Sequence, residues 1–344
     1  MELLIFVWSL VFIISVCALI KASDWLVLGL QRVVRLFGIR EAEFALPAAL
    51  IAVALPEMGA ALAAVLGGKP ELAVAVVIGS SIANILLVTG LAAFSAGPLL
   101  LKKEYTQVDL PLFVSGVAVF CLAAFDGQVN VFEGLLMILM FCVYVAYSSR
   151  PRRGVTAHDM ITPELLGSAS VARMIQILPT RLEKKLEKVA NANNRSAWQT
   201  GVWIFIGAGL LFVTTSYLTV ESLSGISDWL RIPAAITAII VLSIGTAMPE
   251  IFGGAAVVRG RKSDLTLGNL FAATTANLLL VCGIASLFMP LVFGGAILTV
   301  GIPFLVVASL LLTIAAISGR IDAGQGLLFL FVYFFFFVKI LELF

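Results

Sequence analysis

Two apolar stretches carry groups that apolar sequence normally lacks. One runs Ala52-Val53-Ala54-Leu55-Pro56-Glu57 and is followed by Gly79-Ser80-Ser81-Ile82-Ala83-Asn84. The other runs Gly245-Thr246-Ala247-Met248-Pro249-Glu250 and is followed by Ala273-Thr274-Thr275-Ala276-Asn277. In each, an asparagine follows the glutamate by 27 positions, and the two copies are offset by 193. A carboxylate inside membrane-like sequence is costly, so it marks a functional site by default. The same group twice, in matched context, makes chance a poor explanation.

The chemistry offered is oxygen coordination. Glu57 and Glu250 supply carboxylates, and Asn84 and Asn277 supply amide oxygens. Ser80 lies one helical turn before Asn84 and adds a hydroxyl on the same face. Thr246 stands close to Glu250 and can do likewise. No Cys or His belongs to the set, which argues against zinc, copper or iron. An oxygen cage suits Ca²⁺, whereas Mg²⁺ prefers to keep several waters. Two ionised carboxylates balance one divalent or two monovalent cations. An empty, doubly charged cage would be costly in low dielectric, so a glutamate must take up a proton or a counter-ion. That favours exchange over one-way passage. Pro56 and Pro249 would free the carbonyls of Ala52 and Gly245 as further oxygens, and unwound backbone at membrane depth is tolerated where it lines a cavity. Alternatively, Pro-Glu marks two kinked helices whose glutamates are packing groups. The paired asparagines favour the ion site.

The elements that must position these groups are membrane helices. The chain of 344 residues is 61% hydrophobic and 12% charged, with a mean hydropathy of +1.11. Soluble domains are roughly 45–50% apolar and about 25% charged. Ten segments are long and apolar enough to span: 3–31, 43–66, 72–97, 108–125, 131–148, 200–222, 233–258, 264–288, 293–317 and 324–342. A spanning helix needs about 20 such residues. The fold class expected is an all-α polytopic membrane protein with ten transmembrane helices. Runs this long, without alternation, do not fit a barrel. The apolar start with Glu2 reads as a retained first helix rather than a cleaved signal.

Basic residues orient the helices. With the 149–199 segment cytoplasmic, 18 Lys and Arg fall in inside loops and helix ends and 3 outside. Both termini are then outside. Five helices on each side of the loop make the second half enter the membrane from the opposite face. The expected organisation is a first five-helix repeat over 1–148 with its motif at 52–84, a basic loop over 149–199, and a second repeat over 200–344 with its motif at 245–277. Inverted repeats of this kind place their sites at mid-membrane. Thr180-Arg181-Leu182-Glu183 in the loop reads as a capping box that opens a short helix.

Other residues carry less. Lys21 and Asp24 lie one turn apart in the first helix and can neutralise each other as a structural pair. Cys17, Cys121, Cys142 and Cys282 are scattered through apolar runs as small hydrophobes. His158 is a lone loop residue. No Ser/His or HExxH pairing occurs in the spans, so an enzyme is not expected, and no resident cofactor or nucleic-acid partner is indicated. The partners read from the chain are membrane lipid and inorganic cations.

The motifs resemble those of the cation/calcium exchanger superfamily, its sodium/calcium exchanger branch most closely. That family carries two copies of a pattern like G-T-S-L-P-E followed by G-S-N-x-x-N or -D. The resemblance implies helices two, three, seven and eight around the ion site, and helices one and six sliding to give alternating access. It matches Glu57 and Glu250 to the calcium-binding glutamates and Asn84 and Asn277 to the ligands of helices three and eight. Ser80 and Thr246 match hydroxyls that contribute to sodium coordination. Four hydroxyls of the pattern are replaced, by Val53, Ala54, Ala247 and Ala273. The function implied is Ca²⁺ antiport against Na⁺, with H⁺ as the alternative counter-ion; a different divalent cation, a channel-like protein or a non-transporting relative stays open. A prokaryotic inner membrane fits the positive-inside pattern.

Overall fold

The computed structural model describes residues 2–36, 50–101, 103–148, 195–248, 250–251 and 263–343. The loop helix expected from Thr180 and the backbone at Pro249 lie outside them. Helix α1 covers Glu2–Leu36, and α2 covers Leu55–Leu66. Helix α3 runs through Pro70–Ile82, a π-helical turn at Ala83–Val88, and Thr89–Ala96. Helices α4 and α5 cover Lys103–Ala123 and Val131–Ser148. In the second half, α6 covers Arg195–Leu230. Helix α7 runs through Ala234–Thr237, a π turn at Ala238–Leu242, and residues 243–248. Helix α8 combines Ser263–Thr275, a π turn at Ala276–Val281 and Cys282–Phe288. Helix α9 combines a π turn at Ile297–Gly301 with Ile302–Ile317, and α10 covers Ala323–Leu341.

Among the described residues seven helices are long and apolar enough to cross a membrane, and three shorter apolar helices accompany them. Each of the ten expected segments contains helix where it is described, apart from a turn at Val53 and Ala54 and a few residues at segment ends. Helices α1 and α6 are longer than the apolar runs suggested, at 35 and 36 residues. At 1.5 Å per residue each is over ~50 Å long, so it must tilt in, or protrude from, a hydrocarbon layer about 30 Å thick.

Burial sorts the helices. The most apolar windows of α3 and α8 are 94% and 89% buried, whereas those of α1, α5, α6, α9 and α10 are 22–39% buried. The two Asn-bearing helices therefore form the centre, and the others present their apolar outer faces to lipid. Leu139 of α5 and Phe331 of α10 are examples of such exposed apolar groups.

The two halves repeat each other in detail. The π turns of α3 and α8 begin at Ala83 and Ala276 and end at Val88 and Val281, each 193 apart. Short antiparallel ladders tie the halves together: Leu99–Leu100 (β1) pairs with Arg320–Ile321 (β4), and Gln128–Val129 (β2) pairs with Leu291–Val292 (β3). Under the repeat β1 corresponds to β3 and β2 to β4, so the two ladders are images of each other. Close glycine crossings follow the same rule. Gly90 of α3 packs on Gly326 of α10, and Gly283 of α8 packs on Gly134 of α5. Capping boxes start both α5 and α10, through Asn130 with Glu133 and Asp322 with Gln325.

The mates α1 and α6 lie against each other and run in opposite directions. Thr219 donates to Ser15 at 3.0 Å, Gly29 packs on Phe205, and Gly225 packs on Trp8. Mates that run antiparallel make the repeats inverted. Small residues at these crossings let backbones approach where no hydrophobic effect pulls helices together.

Candidate functional site

The local breaks that hold the site are written in Pro and Gly. Helical residues 50–52 are followed by a turn at Val53 and Ala54, and α2 starts afresh at Leu55. Pro56 therefore opens a helix, where its missing amide costs little; of the two expectations, the break at Val53 and Ala54 fits unwound backbone and not a kinked continuous helix. Glu57 stands in the first turn of α2, where the partial positive charge of the helix end favours a carboxylate. The far end of α2 closes with a Schellman motif. Lys69 N–H donates to Ala64 O at 2.8 Å and Gly68 N–H to Val65 O at 2.9 Å. Gly68 adopts φ 73, which favours glycine. Pro70 then opens α3, which packs back against α2.

Asn84 and Asn277 each occupy the second position of a π turn. A π turn widens the helix and interrupts its hydrogen-bond ladder, and such turns gather at functional sites. Thr89 hydroxyl donates to Asn84 O at 3.3 Å, supporting the wide turn in α3.

Five of the six expected ligands are sealed from solvent: Glu57, Ser80, Asn84, Thr246 and Asn277 are at most 1% exposed. Glu250 is half-buried as a residue, yet its Oε2 is fully covered. The structure brings members of both halves together. Asn277 Nδ2 donates to Ser80 Oγ at 3.1 Å, joining α8 to α3. The Thr246 hydroxyl lies within hydrogen-bonding reach of the Glu57 carboxyl, joining α7 to α2, and is shared with Ser243 O at 3.4 Å. Glu57 and Glu250 are near enough to repel each other. Two linked groups result, Asn277 with Ser80 and Thr246 with Glu57 and Glu250, and Asn84 shares the buried face of α3 with Ser80 one turn away.

Seven buried side-chain oxygens of the described residues have no hydrogen-bond partner: Glu57 Oε2, Ser81 Oγ, Asn84 Oδ1, Glu250 Oε2, Thr274 Oγ1, Thr275 Oγ1 and Asn277 Oδ1. All seven lie on the paired motif stretches or next to them. Buried polar atoms are nearly always satisfied, so a concentration of exceptions calls for a missing partner. Carbonyl and carboxylate oxygens accept only, and what they need is a cation or a donor. The donor set fits a hard cation.

Sequence reasoning missed two things here. Lys21 and Asp24 read in the sequence as a structural pair within the first helix. They do pair, at 3.7 Å, but Asp24 also acts electrostatically on Glu250. Its place inside an apolar run was the available signal. Sequence reasoning also passed over Ser81 and named Thr274 only as a neighbour of Ala273.

The architecture is that of an integral membrane protein with inverted helical repeats and a buried oxygen-lined centre between them. Residues 7–150 and 200–341 match the family described as sodium/calcium exchanger protein, and the chain belongs to that family. It is 25% identical over 278 residues to the inner membrane protein YrbG of Escherichia coli, covering 81% of this chain and 79% of that one. It is 22% identical over 351 residues to the sodium/calcium exchanger MaX1 of Methanosarcina acetivorans, covering 94% and 95%. Among solved structures, the sodium-calcium exchanger NCX_Mj has the same fold, with a TM-score of 0.58 at 23% identity over 97% of this chain and 98% of that one.

Proposed function

We propose that this protein is a secondary antiporter that exchanges Ca²⁺ for Na⁺ by alternating access. Glu57 and Glu250 bind the cation and carry the charge change. Asn84, Asn277, Ser80 and Thr246 complete the cage. The observation that carries the reading is the set of sealed, donor-less oxygens on Glu57, Asn84, Glu250 and Asn277, two from each half and repeated at one offset. Family membership supports cation exchange as the class of reaction. Two carboxylates can be neutralised by one Ca²⁺ or by two monovalent ions, so the site carries no net charge with either load.

H⁺ is the second reading for the counter-ion. It is favoured by the replacement of four hydroxyls by Val53, Ala54, Ala247 and Ala273. The repeats are assigned to 1–148 and 200–344, the basic 149–199 segment to the cytoplasm, and both termini to the outside. The membrane assigned is a prokaryotic inner membrane, supported by similarity to an inner membrane protein.

The test is calcium flux in proteoliposomes of the purified protein, driven separately by a sodium gradient and by a pH gradient. Flux with sodium alone supports Na⁺ coupling, and flux with the pH gradient alone makes protons the counter-ion. No calcium flux under either gradient overturns the proposal.

A further inference from the structure

Ser81 and Thr274 carry an unexplained pair of hydroxyls. They stand 193 positions apart, as the site glutamates and asparagines do. Both are fully buried, and neither hydroxyl has a hydrogen-bond partner. That is unusual for this chain. Buried helical hydroxyls elsewhere donate to a carbonyl three to five residues back, as Ser15, Ser23, Ser227, Ser243 and Ser309 do. Such back-bonding is the ordinary way to satisfy a buried helical hydroxyl. Ser81 and Thr274 forgo it.

Each hydroxyl lies three residues before a site asparagine, hence on the same helical face. Asn84 and Asn277 likewise have an unpartnered Oδ1. The amide of Asn277 is anchored by its own Nδ2 on Ser80, which fixes the side of the ring of ligands on which its oxygen is offered. The result is two matched pairs, Ser81 with Asn84 and Thr274 with Asn277. Each holds two neutral oxygens with no hydrogen-bond partner. Thr275 stands apart, because its methyl faces Gly116 of α4.

We infer that Ser81 and Thr274 are ligands of the monovalent counter-ion, each closing one Na⁺ pocket with the asparagine one turn on. The inference rests on the antiport reading above and names groups that reading does not use. Neutral oxygens suit a monovalent ion, since the two glutamates already provide one charge for each of two such ions.

The test uses the purified full-length protein in detergent. Its thermal midpoint is followed against NaCl, with choline chloride holding ionic strength, and separately against CaCl₂. Wild type, Ser81→Ala, Thr274→Val and the double variant are compared. A ligand that binds only the folded state raises the midpoint with its occupancy. In the double variant the half-saturating Na⁺ concentration is expected to rise about tenfold or more, the loss of roughly one ligand oxygen from each pocket. The Ca²⁺ half-saturation is expected to change less than about twofold. Without added cation the variants should be as stable as wild type, because removing an unpartnered buried hydroxyl forfeits no bond. Thr274→Ser, which keeps the hydroxyl, should retain the wild-type Na⁺ response.

An unchanged Na⁺ half-saturation in the double variant overturns the inference. So does a joint shift of the Na⁺ and Ca²⁺ curves, or a loss of stability already present without cation, either of which assigns the hydroxyls a packing role. A wild type that responds to Ca²⁺ but not to Na⁺ also overturns it, and leaves the calcium site standing. A wild type that responds to neither cation sinks the antiport reading together with it.

Discussion

Asn277 of α8 donates its amide hydrogen to the Ser80 hydroxyl of α3 at 3.1 Å, with both residues sealed from solvent. This bond crosses between the two repeats at the two most buried helices. Ser80 passes its own hydrogen to Val77 O at 3.2 Å, so the hydroxyl is both acceptor and donor. Ser80→Ala would leave a buried Nδ2 without an acceptor. A group left unsatisfied in that way costs about 1–3 kcal/mol. The thermal midpoint should fall accordingly, and exchange should weaken because the Asn277 oxygen is no longer held in place. An unchanged midpoint would show that the amide finds another acceptor.

The glutamates make the sharpest prediction. Glu57→Gln and Glu250→Gln should each abolish calcium exchange while the protein still inserts and folds. Both carboxyls have a sealed oxygen without a donor, so neutral replacements should be at least as stable as wild type in cation-free buffer. Full transport by both variants in proteoliposomes would end the assignment of these residues.

Gly79 tests how tightly the centre is packed. A Cβ there would meet the Ser243 hydroxyl and the backbone of Ile239 at 3.0 Å on α7. Gly79→Ala should therefore push α3 from α7 and cost about 1–3 kcal/mol, in the manner of other overpacked cores. Gly207 of α6 has nothing within 4 Å of the same atom. Gly207→Ala should be neutral or stabilising by up to about 1 kcal/mol, because alanine is the better helix former. Comparable thermal midpoints for the two variants would contradict the packing described.

Lys21 and Asp24 should tune the site from α1. Their side chains are about one-fifth exposed and 3.7 Å apart, and the Asp24 charge reaches Glu250. Lys21→Met should leave more negative potential at the site and raise apparent Ca²⁺ affinity. Asp24→Asn should lower it. The size expected is on the order of 1 kcal/mol, or roughly fivefold in affinity. Calcium titrations that give the same midpoint for both variants would show the pair to be structural only.

Much of this protein is legible in its sequence because the membrane leaves few choices. Lipid offers no hydrogen bonds, so a long apolar run must become a helix. The ten apolar segments and the matched Glu and Asn positions follow from composition and spacing alone. Tertiary structure decided the rest. The chain text does not say that Pro56 begins a helix, since a turn at Val53 and Ala54 depends on what packs around it. Nor does it contain the π turns that seat Asn84 and Asn277, because one extra residue in a turn leaves no mark on hydropathy. The two-residue ladders between β1 and β4 and between β2 and β3 join segments that only the pseudo-two-fold arrangement brings together. The reach of Asp24 to Glu250 is likewise a matter of how α1 lies on its neighbours. The clearest case is Ser81. Its type and position resemble those of any small helical residue, and only the packed structure shows that its hydroxyl has been left without a partner.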